Sequence, residues 1–309
     1  MSKLITIHTG DIHLTDLKPK ARVDEEDWLG VQIDKLNWMK KLCEEHEVPL
    51  IIGGDVFDKT TLSFNFLNKL KSCFPDNCYC LLGNHDEVGN NTQSYDKSVW
   101  YTGHLMGLYT GIHDAEIRVF NDISFGFIPA TNTEEEFLEF ADKVKSADVI
   151  VMHRFIFGDD NKVFNSELYK THCISYYREL FNKSSVIIGS DNHRSIIDET
   201  ARPYVYNCGM PIRDNADLVD YSPIVFFLYD NMTCVPVAVP IDNDKITDRH
   251  IKKEKEEKEK NKAFIHTLQE VSDIRLSFVD NLKRRLEDAP ECYSFIKEQY
   301  NNLKGKNIL

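Results

Sequence analysis

The sequence predicts an α/β protein whose main domain is followed by a helical extension. Apolar runs recur up to about residue 240, and several are continuous rather than alternating, which indicates strands buried on both faces. Helical patterns lie between several of these runs, and from about residue 243 the composition turns to charged, helix-forming residues. A chain of 309 residues, 42% of them hydrophobic, can fill one large domain and a smaller module. We therefore predict a main domain over 1–242 and an extension over 243–309.

Ten strands are predicted from the apolar runs. They cover residues 3–9, 48–53, 78–82, 115–120, 123–129, 147–152, 185–189, 203–208, 223–229 and 233–239. The last two are joined through Asp230 and Asn231 and predict an antiparallel hairpin that closes the main domain. Sheets built from such strands must be covered by helices or by a second sheet.

Three helices are predicted in the main domain, over 24–46, 61–72 and 133–146. The first has an apolar stripe at three- and four-residue steps, formed by Ile33, Leu36, Met39, Leu42, Cys43 and His46. The third begins at Thr133, and Glu136 three residues later completes a capping-box pattern.

The C-terminal extension predicts two helices separated by Pro290. Apolar residues from Phe264 to Leu286 recur at the spacing of an amphipathic helix, and residues 291–303 form another. The charged stretch before them, 249–262, has Glu and Lys four residues apart, which favours a solvated helix or linker. A nucleic-acid-binding patch is the alternative.

Charge is distributed unevenly along the chain. Residues 245–309 hold 15 Lys and Arg against 12 Asp and Glu, a net charge of +3, whereas residues 1–244 hold 22 against 38, a net charge of −16. So acidic a body is not typical of a protein that binds nucleic acid alone, because phosphate contacts need Lys and Arg. We expect metal cations to offset some of this charge locally, or a partner to supply basic surface.

The chain contains no run of roughly 18 apolar residues, which a membrane helix needs, and its first residues enter a strand pattern rather than a signal peptide. We therefore expect a cytoplasmic protein without membrane contact. Its eight cysteines are scattered, mostly inside apolar segments, as is typical of reduced core thiols. Cys73, Cys78 and Cys80 leave a zinc site as the alternative, although no paired CxxC motif occurs elsewhere.

Five of the predicted strands end in residues that bind metals. In chain order these are Asp11 and His13, then Asp55, then Asn84 and His85, then His153, and finally Asp191 and His193. Sites in α/β folds form at the carboxyl ends of strands, so five passes of the chain would bring these groups to one edge. Three carboxylates, one amide oxygen and three imidazoles, with His85 to spare, could hold two divalent cations roughly 3.5 to 4 Å apart.

The order of these motifs resembles that of the calcineurin-like metallophosphoesterases. GDIH at 10–13, GGDVFD at 53–58 and GNHDE at 83–87 stand in the family's order, and each follows a strand. The resemblance covers residues 4 to about 240. It implies a two-sheet β-sandwich flanked by helices and a metal-dependent hydrolase of phosphodiesters.

The resemblance also implies a role for each residue of these motifs. One metal is held by Asp11, His13, Asp55 and His193, and the other by Asp55, Asn84, His153 and Asp191. Asp55 therefore bridges the two. His85 corresponds to the family's non-ligand histidine, which stabilises the charged phosphate or protonates the leaving oxygen.

Asp191 departs from the family pattern, which is GHxH where this chain has Ser190, Asp191, Asn192 and His193. A carboxylate in place of an imidazole makes the second site richer in oxygen and favours Mn²⁺, or Mg²⁺, over metals that prefer nitrogen. If Asp191 only caps a turn, the second metal is weakly held.

Within the superfamily the chain resembles SbcD-type nucleases, which act in DNA repair and recombination and include forms encoded by phages. This finer resemblance is carried by the start LITIHTGDIHL, by the long insert between GNHDE and VMHRF, and by the helical tail. It implies a DNA exonuclease and endonuclease subunit whose C-terminal helices bind an SbcC-type coiled-coil ATPase; a homodimer is also compatible with it.

Two other functions are compatible with the same motifs. One is a stand-alone phosphoesterase for nucleotides or other small phosphoesters, and the other is a nuclease-derived assembly subunit with little activity. Arg154 either contacts a substrate phosphate or forms an ion pair. A structural or surface role is expected for the remaining histidines, which are His8, His46, His104, His113, His172, His250 and His266.

Overall fold

Two six-stranded mixed sheets form the centre of the fold. A computed structural model describes residues 2–89, 91–158, 171–252 and 258–262, without the side chains of residues 92 and 93. The first sheet has the order β12-β11-β1-β2-β3-β4 and the second the order β5-β6-β7-β8-β10-β9. The strands are β1 Leu4–Thr9, β2 Leu50–Ile52, β3 Cys78–Leu81, β4 Thr110–Ile112, β5 Glu116–Phe120, β6 Ile123–Ile128, β7 Val149–His153, β8 Val186–Ser190, β9 Ile196–Asp198, β10 Tyr204–Asn207, β11 Ile224–Tyr229 and β12 Cys234–Ala238.

Five α-helices cover the outer faces of the sheets in the described main unit. They are α1 Trp28–His46, α2 Phe64–Leu70, α3 Val99–Leu105, α4 Glu134–Val144 and α5 Ile174–Leu180. Residues of the first three pack with the first sheet in one apolar cluster, and residues of α4 and α5 pack with the second sheet in another. A third cluster, which includes Ile5, Phe125 and Phe226, lies between the sheets. The predicted α/β sandwich flanked by helices is therefore confirmed.

The structure confirms all ten predicted strands and adds two. The added strands, β4 and β9, have three residues each. The predicted hairpin is present, because β11 and β12 pair antiparallel with Leu228 opposite Cys234.

The predicted helices are present but shorter than expected. Helix α1 begins at Trp28 rather than at residue 24, because the Asp27 side chain accepts a hydrogen bond from the Gly30 amide and caps the helix there. Helix α4 begins after Thr133, whose hydroxyl accepts from the Glu136 amide. The Glu136 carboxylate accepts from the Asn132 amide, one residue before the expected return bond of the capping box.

The chain divides into two compact units, residues 1–248 and 249–309. In the second unit, residues 249–252 and 258–262 are helical. The helices predicted over 264–286 and 291–303 lie outside the described residues. Among the helices that the structure describes, none is long and apolar enough to cross a membrane.

Candidate metal centre

The metal-binding residues predicted from the sequence lie at one edge of the two sheets. Strands β1, β2 and β3 run parallel in the first sheet, and β7 and β8 run parallel in the second. Their carboxyl ends therefore point the same way within each sheet. The turns that follow β1 and β2 are joined directly, since the Ile12 and His13 amides donate to the Asp55 carbonyl at 3.0 and 2.9 Å.

Three of the predicted ligands have left-handed backbone conformations. His13 has a φ of 51°, Asp55 of 47° and Asp191 of 76°. Residues with a side chain adopt this conformation at a cost on the order of 1 kcal/mol, so the surrounding structure must impose it. Such strain is concentrated at functional sites, where it turns a side chain towards a ligand.

Asp55 lies between two imidazoles at the centre of the site. Its Oδ2 is 3.6 Å from His13 Nε2 and 3.5 Å from His153 Nε2. Its other oxygen, Oδ1, accepts a hydrogen bond of 2.8 Å from the His85 amide. One carboxylate oxygen is thus fixed by the backbone while the other faces both rings, as a bridging ligand requires.

The two oxygens of Asp11 are also divided between a backbone amide and an imidazole. Its Oδ1 accepts from the Asp191 amide at 3.1 Å, and its Oδ2 lies 3.7 Å from His193 Nε2. The structure forms three groups with metal-ligand spacing: Asp11 with His13 and His193, His13 with Asp55 and His85, and Asp11 with Asp55 and His153. These groups share members, so they form one continuous centre.

Asn84 and Asp191 also lie at this centre. Asn84 Oδ1 is 2.7 Å from His153 Nε2, and Asp191 Oδ1 is 4.0 Å from the same nitrogen. The Asp191 side chain is 33% exposed and belongs to none of the three groups. Its role as a ligand stays a prediction, as do the ligand roles of the other residues.

Unpartnered buried atoms fit the predicted cations. Asp11 Oδ2 and His13 Nε2 are buried and have no hydrogen-bond partner within the described chain. A buried polar atom without a partner costs about 1 to 3 kcal/mol, and a metal ion accepts lone pairs from both atoms. The donor set of carboxylate oxygens and imidazole nitrogens also suits divalent cations.

Burial shifts the pKa values of the carboxylates and of His13. It raises the pKa of Asp11, where repulsion from Asp55 and Asp191 adds to the effect, and of Asp55, where repulsion from Asp191 adds to it. His153 opposes the rise in both. Burial, followed by the neighbouring imidazoles, lowers the pKa of His13. Divalent cations would relieve the repulsion between the carboxylates, while the neutral form of His13 is the one that binds a metal.

The His153 ring is oriented by a backbone carbonyl. Its Nδ1 lies 2.9 Å from the Gly53 carbonyl, which can only accept, so Nδ1 carries the hydrogen and Nε2 faces the site. Burial acts to lower the pKa of His153, but Asp55, Asp11 and Asp191 outweigh it and raise the pKa to about 9. A positive charge is therefore favoured at this position of the site.

His85 lies at the mouth of the site, where its side chain is 42% exposed. Its Nδ1 is 3.1 Å from the Asp58 carbonyl, so Nδ1 donates to that carbonyl. Nε2 is left free to exchange a proton with a substrate. The ring also packs edge-on against His13, with 4.5 Å between centroids. The geometry thus includes His85 in a possible metal group, whereas the sequence resemblance gives it the non-ligand role.

Arg154 forms the ion pair that was one of its two predicted roles. Its guanidinium pairs with Glu134, donates to the Tyr177 hydroxyl at 3.0 Å and stacks over the Phe137 ring. The three cysteines considered for zinc are free and buried, and none belongs to a possible metal group among the described residues. Burial raises the pKa of each thiol, so each is protonated.

Further carboxylates near the site, among them Asp58 and Asp214, were not singled out from the sequence. Asp58 Oδ1 lies 3.9 Å from His13 Nδ1 and 4.0 Å from His85 Nδ1. Burial, with repulsion from Asp58, raises the pKa of Asp214 to about 6. Asp58 ends the GGDVFD motif and could have been noticed from its spacing, but Asp214 has no motif and reaches the site only through the fold.

A family model of calcineurin-like phosphoesterases matches residues 5–215. The chain therefore belongs to the calcineurin-like phosphoesterase family, as the motifs predict. The match supports a metal-dependent hydrolase of phosphoester bonds. No curated protein matches the chain in sequence.

Solved structures to which the chain is similar include two described as 5′-nucleotidases and one described as a phosphodiesterase. A proposed 5′-nucleotidase from Staphylococcus aureus has 14% identity and a TM-score of 0.47, over 82% of this chain and 58% of that chain. An archaeal phosphodiesterase has 12% identity and a TM-score of 0.38, over 77% of this chain and 99% of that chain. A 5′-nucleotidase from Candida albicans has 14% identity and a TM-score of 0.42, over 78% of this chain and 52% of that chain. The chain thus spans little more than half the length of either 5′-nucleotidase.

Proposed function

We propose that the protein hydrolyses small phosphoesters, such as nucleotides, with two divalent cations. The observation that carries this proposal is the negative charge around the site. Asp58 approaches His13 and His85, and Asp214 and Asp217 lie close enough to affect neighbouring groups electrostatically. Of the described cations near the site, Arg154 is paired with Glu134 and Arg194 donates to the Asp217 carbonyl. A small ester can be neutralised by two bound metals, whereas a nucleic acid needs a track of Lys and Arg as well.

The geometry supports a role for each side chain in this proposal. Asp55, Asp11 and the histidines around them would hold the cations, with Asn84 and Asp191 completing the second site. When bound, two divalent cations supply positive charge for the phosphoryl oxygens and lower the pKa of water by several units. His85 would act in its doubly protonated form: Nδ1–H donates to the Asp58 carbonyl, and Nε2–H gives its proton to the leaving oxygen, which leaves a neutral ring.

The proposal includes Mn²⁺ as the metal and the cytoplasm as the location. Oxygen-rich coordination through Asp11, Asp55, Asn84 and Asp191 supports Mn²⁺ or Mg²⁺. All seven described cysteines are free and buried, which suits a reducing compartment.

Purified full-length protein with Mn²⁺ tests the substrate class. The substrates are bis-p-nitrophenyl phosphate, a nucleoside monophosphate, a cyclic nucleotide and a linear DNA duplex. We expect turnover of one or more of the small esters without any added protein, because the site needs no further cation for them. Degradation of DNA alone would overturn the proposal.

A DNA nuclease subunit is the second candidate, and the accessibility of the site favours it. The side chains of His85, Asp191 and His193 are 42%, 33% and 34% exposed, so a strand end could reach them without entering a closed pocket. In this case an SbcC-type ATPase would supply basic surface and bind the apolar residues from Phe264 to Leu286. This candidate retains the predicted SbcD-type and phage-encoded relationship.

The two candidates differ in their response to a partner and to salt. A nuclease subunit should degrade duplex DNA faster when the ATPase is added, and its rate should fall steeply between 50 and 200 mM salt because phosphate contacts release counterions. A stand-alone phosphoesterase should show neither effect on small substrates. The same protein preparation can be used for both measurements.

A further inference from the structure

The turn that carries Asp191 and His193 needs support from outside itself. It spans residues 191–195 between β8 and β9, and Asp191 begins it in a left-handed conformation. A five-residue turn has no ladder of its own hydrogen bonds, so its carbonyls must find donors elsewhere. Those donors determine the direction in which His193 points.

Asn207, the last residue of β10, supplies two of them. Its side-chain Nδ2 donates to the Asn192 carbonyl at 2.6 Å and to the Arg194 carbonyl at 2.9 Å. These two carbonyls belong to the residues immediately before and after His193. The Met210 amide donates to the His193 carbonyl itself at 3.0 Å. Three consecutive carbonyls of the turn are thus held by one short stretch of chain.

The orientation of the Asn207 amide is determined by its partners. Both partners are carbonyl oxygens, which accept but never donate, so the nitrogen must face them. Asn207 is fully buried, and its Oδ1 has no hydrogen-bond partner among the described residues. An aliphatic residue at this position would leave both carbonyls without a hydrogen-bond donor. The position therefore specifically suits a side chain with two donors on one atom.

Asn207 is also placed by the sheet rather than by the loop. It pairs with Gly189 in the parallel register of β10 and β8, and the adjacent Cys208 amide donates to the Gly189 carbonyl at 3.1 Å. A rigid strand end thus holds the turn, as is needed for accurate placement of a ligand.

We propose that Asn207 is a positioning residue for the metal centre, because it holds the backbone on both sides of His193 and so directs the imidazole towards Asp11 and His13. Asn207 is not one of the proposed ligands and acts through the backbone of the turn. The inference rests on the proposed function in that it assumes His193 binds one of two cations. Loss of such a supporting hydrogen bond typically weakens metal affinity about 10- to 100-fold.

Calorimetric titration of the metal-free full-length protein with Mn²⁺ tests this, using Asn207→Asp and Asn207→Ser. Asp has nearly the same shape but loses the amide donors, and Ser keeps one donor on a shorter side chain. We expect one of the two Mn²⁺ affinities to fall about 10- to 100-fold in Asn207→Asp, and less in Asn207→Ser. If the Asp variant does not fold, the Ser variant carries the test.

Ser184→Ala is the matched control, because Ser184 is buried and donates to the Ala147 carbonyl at 2.7 Å. It lies just before β8, at the opposite end of that strand from the site. We expect it to lower the unfolding temperature of the metal-free protein while both Mn²⁺ affinities stay at wild-type values.

The outcomes separate the inference from the proposed function. Wild-type affinities in both Asn207 variants, or an equal loss in Ser184→Ala, would overturn the positioning role alone. A wild-type chain that binds no Mn²⁺ would overturn the proposed function and the inference together.

Discussion

His85 combines two properties that separate it from the buried imidazoles beside it. It is exposed at the mouth of the site, and its Nδ1 is engaged by the Asp58 carbonyl. Its Nε2 is therefore free to exchange a proton with a substrate oxygen, as the general acid of the proposed reaction must. His13 and His153 are buried at the carboxylates and cannot do this without leaving them.

We predict that His85→Ala lowers kcat about 10²- to 10⁴-fold, because proton transfer to the leaving oxygen is lost. The Mn²⁺ content should stay at the wild-type level, which elemental analysis of the purified variant would measure. Loss of one Mn²⁺ would instead mean that His85 is a ligand, as its place in the group with His13 and Asp55 allows. A wild-type rate would remove its assigned role.

His8 is a buried histidine that the proposed reaction does not use. It lies in β1, stacks on Phe125, and makes one hydrogen bond, between its Nε2 and the Thr6 hydroxyl at 2.7 Å. Burial lowers the pKa of His8 to about 3. In the folded protein the His8 ring therefore stays neutral at pH values at which the same ring in the unfolded chain binds a proton.

We predict that His8 makes folding sensitive to acid. Its contribution is complete above pH 6.5, the unfolded value, and is lost as the pH falls towards 3. At pH 4.5 the loss should be roughly 2 to 3 kcal/mol. Urea unfolding of His8→Leu and wild type at pH 7.5 and 4.5 would measure it. A stability difference between the two proteins that does not change with pH would contradict the prediction.

At the scale of elements, residues 239–248, which follow β12, are joined to the rest of the main unit by a buried carboxylate. Asp244 lies 2.9 Å from Lys35 Nζ, 3.1 Å from Arg22 Nη2 and 3.2 Å from Arg213 Nη2. These cations come from α1, from the turn before it and from the loop after β10. The Thr247 amide also donates to the Ala21 carbonyl at 2.8 Å. One acidic residue thus holds three separate elements.

We predict that Asp244→Ala lowers the free energy of unfolding by about 3 to 5 kcal/mol, because it removes the carboxylate that pairs with the buried Lys35 and Arg213 side chains. Chemical denaturation would measure this. Asp242→Ala is the control, since Asp242 is exposed two residues earlier, and it should change stability by less than about 0.5 kcal/mol. Equal effects of the two variants would rule out a special role for Asp244.

The elements that the sequence predicts are those long enough to show the periodicity of a helix or a strand. The two missed strands have three residues each, too few for an alternation, and the missed helices α3 and α5 have seven residues each. The ligand motifs were predictable because each directly follows a buried strand. The contacts of Asn207 and Asp214 were not, because they depend on how β10 and the loop after it lie against turns that are distant in sequence.

At the scale of the whole molecule, the net charge of −16 over residues 1–244 is concentrated in part at the site. Buried Asp11 and Asp55 repel each other, and burial raises the pKa of both. Cations that bind only the folded state stabilise it according to their concentration and affinity. The metal centre is therefore expected to contribute to stability as well as to chemistry.

We predict that Mn²⁺ raises the unfolding temperature of chelator-treated protein. At a free concentration about 100 times the dissociation constant, the gain should be about 2.7 kcal/mol for one site. Thermal unfolding at increasing Mn²⁺ would measure it. Asp55→Asn should lose most of the gain, and an equal response of this variant would mean that Mn²⁺ binds elsewhere.

The position of β1 has a consequence for how the protein is made. This first strand lies between β2 and β11 in its sheet, so one side of it has no hydrogen-bond partner until residues 224–229 have left the ribosome. Pairing over such a sequence separation is slow, and an unpaired strand is prone to aggregate. The nascent chain must therefore keep β1 from self-association while the residues between β1 and β11 are being made.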